Sequence, residues 1–76
     1  MDPQAAWDDL LEALGERDWE RVEDLAEGLL RWLRAGGFPP RAVTGNDLGS
    51  DWDREIALAG CRFALAQARE GVTHVP

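Results

Sequence analysis

Apolar residues recur at helical spacing in three separate stretches of the chain. In the first, Trp7, Leu10, Leu11 and Leu14 fall at i, i+3, i+4 and i+7, one stripe of an α-helix. Asp2 is placed to cap its start, and Pro3 suits the first helical position. Gly15 can end it in the left-handed conformation, so the spacing predicts a helix over about 4–15. In the second stretch Trp19, Val22, Ala26, Leu29 and Leu33 follow a 3-4-3-4 spacing, widened by Leu25, Leu30 and Trp32. Asp18 caps it. Glu20, Glu23 and Asp24 crowd its start, and Arg31 and Arg34 its end, as the helix dipole favours. This predicts a helix over 19–35. The third carries two stripes: Trp52, Ile56, Ala59, Phe63 and Ala66, and beside it Leu58, Cys61, Leu65 and Ala68. Ser50 and Asp53 have capping-box spacing and Gly71 is a plausible stop, which predicts a helix over 51–70 and a frayed tail over 72–76.

The connections decide how these helices are arranged. The first is only a few residues long, so the first two helices are expected to lie antiparallel. The second, residues 36–50, is long for so small a domain. It opens with Gly36 or Gly37 as a left-handed stop and Phe38 folding back onto the helix. Pro39 and Pro40 then force an extended exit, and Val43 and Leu48 are candidate anchors. The expectation is one all-α domain spanning residues 1–76, a helical hairpin with a third helix packed across it.

The third helix is more apolar than a surface helix needs to be, and it is rich in small residues such as Ala57, Ala59, Gly60 and Ala64. Two readings follow. It is a central helix gripped by the other two, or its second face, Leu58, Cys61 and Leu65, meets a second copy or another protein. The second candidate surface is the edge formed by Trp32, Phe38 and Pro39, where aromatic rings and proline meet Arg31, Arg34 and Arg41. Trp and Arg are common at interface hot spots.

Charge narrows the function classes. The chain has 76 residues, 15 acids against 8 bases, and a net charge of −7. Every base is Arg. That balance opposes direct nucleic-acid binding, which needs clustered positive charge. No apolar run approaches the roughly 20 residues of a membrane span, and MDPQAAWDDL lacks the basic and apolar regions of a secretory signal. A single cysteine precludes an intramolecular disulfide and suits a reducing, cytoplasmic setting.

Little points to catalysis. Cys61 and His74 are one of each, where a zinc site needs three or four protein ligands. An EF-hand register from Asp47 would place Leu58 where the bidentate Glu belongs. No phosphate-loop, dinucleotide, metalloprotease or nucleophile-elbow pattern occurs. No catalytic residue, cofactor or metal ligand is therefore expected.

Residues 6–30, AWDDLLEALGERDWERVEDLAEGLL, resemble a tetratricopeptide helix pair. The likeness lies in an early Trp, Leu and Gly toward the turn, an aromatic after an acid, then Ala26 and Leu29. Val22 stands where that family has Ala, and Pro39 falls later than its closing Pro. The string GGFPP after a helix also resembles small bacterial proteins of unassigned activity. The tetratricopeptide resemblance implies a helical hairpin used for protein contacts, and neither places a catalytic residue. The expected function is a non-enzymatic protein-interaction module or small accessory subunit, with self-association one of its forms. The alternative is a small regulator acting on nucleic acid or its binding proteins, as an antitoxin or acidic mimic does.

Overall fold

A computed structural model describes the backbone of residues 1–73 and the side chains of residues 1–71. His74 and residues 75–76 of the expected tail lie outside the described residues. Three α-helices follow one another: α1 (Pro3–Glu16), α2 (Trp19–Arg34) and α3 (Ser50–Thr73). The architecture is the expected all-α one, a hairpin with a third helix packed against it. α2 is the central element, however, and both α1 and α3 pack on it. Its stripe explains why: Val22, Ala26, Leu29, Leu30 and Leu33 are all buried, so α2 has apolar surface for two neighbours.

The helix starts follow from short polar side chains. The Asp2 carboxylate accepts the backbone N–H groups of Gln4 and Ala5, and that of Asp18 accepts the N–H of Arg21. Each satisfies amide donors that the first turn leaves open. The ends of α1 and α3 depart from the glycine rule. Gly15 lies inside α1, and Arg17 takes the left-handed position instead, at φ 56°. The N–H of Arg17 reaches the Leu14 carbonyl and that of Asp18 the Ala13 carbonyl, a Schellman closure. The two-residue connection needs its reversal at position 17, because Trp19 must already start α2. Gly71 does not stop α3, which continues to Thr73 through part of the expected tail. Gly71 is instead a close-packing point, where any Cβ would overlap the indole of Trp19.

α2 ends as expected. Gly36 is left-handed at φ 91°, its N–H donates to the Leu33 carbonyl, and the N–H of Gly37 donates to the Trp32 carbonyl. The long connection then crosses the ends of α1 and α3. Its anchor is Pro40, fully buried, rather than Val43, which is half-buried, or Leu48, which is exposed. Gln4 clasps the next residue from both sides: its Oε1 accepts the Arg41 N–H at 2.8 Å, and its Nε2 donates to the Arg41 carbonyl at 3.4 Å. Asp53 is drawn in too. The expected capping box does not form, because its Oδ1 accepts the Ala42 N–H at 3.3 Å, and the chain enters α3 through left-handed Gly49. Arg54 completes the junction, donating to the carbonyls of Leu33 at 2.8 Å and Gly37 at 2.9 Å. A cation there faces the negative end of the α2 dipole, adds a second donor to the Leu33 carbonyl and ties the loop carbonyl of Gly37 to α3.

The core joins Trp7, Leu10 and Ala13 of α1, the α2 stripe, and Ala57, Cys61, Ala64, Leu65 and Ala68 of α3. The face of α3 that turns inward is thus the stripe containing Cys61 and Leu65. Both are buried, and Leu58 is half-buried against the core. These three residues, read as a candidate partner surface, are intramolecular packing. The reason is volume. The indole of Trp7 meets α3 at Gly60 and that of Trp19 meets it at Gly71, and the rest of the inward face is chiefly Ala and Cys, so helix and rings approach closely.

Candidate interaction surface

The two stripes of α3 share one spacing and are offset by two residues. Two steps along an α-helix turn the side chain by about 200°, so the stripes lie on nearly opposite faces. With Cys61, Leu65 and Ala68 turned to α2, the other stripe faces out. Trp52 is 64% exposed and Phe63 is 67% exposed; Ala59 and Ala66 are exposed between and beyond them, and Ile56 is half-buried. No charged residue falls on the stripe from Trp52 to Ala66.

This face runs into a groove of about 370 Å³ between α1 and α3. Leu11 and Phe63 stand at its rims, Trp7, Leu10, Gly60 and Ala64 lie beneath, and Arg17 and Gln67 supply its polar groups. The groove exists because α2 separates α1 and α3 and only side chains bridge them, chiefly Trp7 over Gly60. Leu11 is nearly half exposed. Together the groove and the outer face of α3 form a largely apolar surface on a chain whose net charge is −7.

The second candidate edge is assembled, with a different internal logic. Trp32 is half-buried, and its indole N–H donates to the Phe38 carbonyl at 2.8 Å. The two rings meet edge to face, centroids 5.6 Å apart at 82°. Gly37 sits against the face of that indole, where no side chain would fit. Trp32 therefore holds the loop to the end of α2, and its polar atom is already used. Phe38 remains 65% exposed and Pro39 is half-buried. Arg31, Arg34 and Arg41 are exposed around them.

The titratable groups carry little unusual chemistry. Burial pushes the Cys61 thiol up to about 11, away from the reactive thiolate. Arg21 is raised by its hydrogen bond to Glu12, at 3.2 Å, with Asp9 at 3.8 Å adding to it; this ties α2 to α1 across the hairpin. Among the described residues no three His, Cys, Asp or Glu side chains gather as a metal site would, and no buried side-chain nitrogen or oxygen lacks a partner. No helix of the described residues is long and apolar enough to cross a membrane.

Comparison with protein-family models, with curated proteins and with solved structures finds no match to this chain.

Sequence reasoning missed the outward direction of Trp52 and Phe63 and the roles of Gln4, Asp53 and Arg54. One signal was present for the first. The stripe of small residues, Ala57, Cys61, Ala64 and Ala68, is the better match to helices that bring tryptophans of their own. Nothing in the spacing marks Arg54, which reads as an ordinary exposed base in a first turn.

Proposed function

We propose that this chain is a non-enzymatic protein-interaction module, a small accessory subunit of the cytoplasm, and that it binds a partner helix on the outer face of α3 and the adjoining groove. The observation that carries this reading is the pair of aromatic rings left two-thirds exposed on one uncharged stripe, Trp52 and Phe63. Such rings bury about 150–250 Å² each in a protein contact. At about 25 cal/mol per Å², covering what remains exposed on both is worth about 5–8 kcal/mol, before the cost of association. That is the scale on which hot spots decide binding. The i, i+4, i+7 spacing of the stripe suits a helix laid alongside it.

Site-specific photo-crosslinking in living cells tests the proposal. A photoreactive amino acid at position 63 is expected to give a discrete protein adduct. The same residue at position 5, on the polar face of α1, is expected to give none. No adduct from position 63, or equal adducts from both positions, would sink it.

A further inference from the structure

We infer that the occupant of this face is α3 of a second copy, packed antiparallel about a two-fold axis near Ala59. This rests on the interaction reading above and specifies its partner. The argument begins with size. In an antiparallel pair centred on Ala59, residues whose numbers sum to about 118 lie opposite one another. Trp52 then faces Ala66 of the partner copy, Ile56 faces Phe63, and Ala59 faces its own equivalent or Gly60. Each large side chain meets a smaller or complementary one, and the crossing point is lined by Ala and Gly, where helices approach most closely. A two-fold contact must be self-complementary in this way, because the same patch serves both partners.

Charge points to the same register. Glu55 and Arg62 are both exposed, and both lie on the same flank of the stripe. Their numbers sum to 117, so the antiparallel arrangement sets Glu55 of each copy beside Arg62 of the other, twice per dimer. A parallel arrangement would instead put this flank of the two copies on opposite sides of the seam, so that Glu55 and Arg62 could not meet. The charge pattern therefore selects the direction of pairing, as flanking charges do in paired helices. A seam of this length falls at the small end of protein interfaces, so the expected affinity is modest, on the order of micromolar.

Sedimentation of the intact chain from about 1 µM to 1 mM tests the inference, with circular dichroism as the control for folding. The wild type is expected to move from monomer to dimer across this range. Phe63→Asp, at an exposed position, is expected to stay folded and monomeric. Glu55→Arg and Arg62→Glu are each expected to weaken the dimer by about tenfold, and the double variant to return it to within about threefold of wild type. A wild type that stays monomeric throughout overturns the inference. So does a dimer indifferent to Phe63→Asp, or one that the double variant fails to restore. The crosslink then separates the two proposals. An adduct of a different protein at position 63, together with a monomeric chain, removes the second copy and leaves the interaction module standing.

Discussion

The seating of Trp7 over Gly60 predicts that one substitution has opposite effects at two glycines of the same protein. Gly60 and Gly15 both lie inside helices, and replacing a helical Gly by Ala normally gains about 1 kcal/mol in propensity. At Gly15 a Cβ meets nothing within 4 Å, so Gly15→Ala should realise most of that gain. At Gly60 the same atom would lie 2.8 Å from Cη2 and 3.2 Å from Cζ3 of Trp7. Trp7 is a rigid ring, only 6% exposed and packed in the core, so relief requires it or α3 to shift. Overpacking of this kind costs about 1–3 kcal/mol. Set against the propensity gain, Gly60→Ala should destabilise by about 1 kcal/mol. For a domain of this size that is a fall in Tm of about 4–8 °C, against a similar rise for Gly15→Ala. Trp7→Phe deletes the ring atoms concerned, at its own cost in burial. In that background Gly60→Ala should become neutral or stabilising. Thermal and urea unfolding of the four proteins of the cycle give the coupling directly. If Gly60→Ala raises Tm as much as Gly15→Ala does, Trp7 does not sit where the account places it.

Two further outcomes follow from single residues. Arg17 holds a left-handed conformation that costs a non-glycine residue about 1 kcal/mol, so Arg17→Gly should raise the urea midpoint by an amount equivalent to about 0.5–1 kcal/mol; a fall would show that the Arg17 side chain contributes more than its backbone costs. Cys61 is a clean reporter of pH, because the chain has no Lys and no Tyr to titrate beside it between pH 9 and 11. Its folded pKa is raised to about 11 from 9.0, so the unfolded state loses its proton first and stability falls as pH rises from about 9 to 11. The loss should be about 1–2 kcal/mol and absent in Cys61→Ala, measured by urea unfolding at pH 8 and pH 10.5, and an equal loss in both proteins would contradict the burial of the thiol.

Much of this fold can be read from spacing, because spacing is where the physics is local. The caps at Asp2 and Asp18 and the glycine stop at Gly36 depend on a few neighbouring residues, and each is where its pattern places it. What spacing does not carry is direction. The two stripes of α3 have the same period, and which one turns inward depends on the volumes that α1 and α2 bring to meet it. Trp52 and Phe63 are the largest side chains of α3, yet the tryptophans already supplied by α1 and α2 leave the inward face chiefly to Ala and Cys, with Leu65 beside them. The candidate surface was therefore legible as an apolar excess on α3 and illegible as a particular face. Arg17 and Gly71 show the same limit in miniature. Gly15 and Gly71 look like helix ends, yet the tight hairpin needs its reversal at position 17, and the ring of Trp19 needs a bare position at 71. The bonds made by Gln4 and Arg54 span 37 and 21 residues of chain, beyond the reach of any local pattern.

The central claim, that the outer face of α3 is a contact surface between copies, is tested most directly by fluorine NMR of protein labelled with fluorotryptophan, followed through dilution. The four tryptophans give separate probes of one molecule: Trp7 in the core, Trp19 and Trp32 half-buried, and Trp52 on the exposed stripe. With the Trp52 resonance assigned by Trp52→Phe, the account predicts that it alone shifts strongly between about 1 mM and 10 µM, while that of Trp7 stays fixed. A Trp52 resonance that does not move with concentration, or one that moves only together with Trp7, would contradict it.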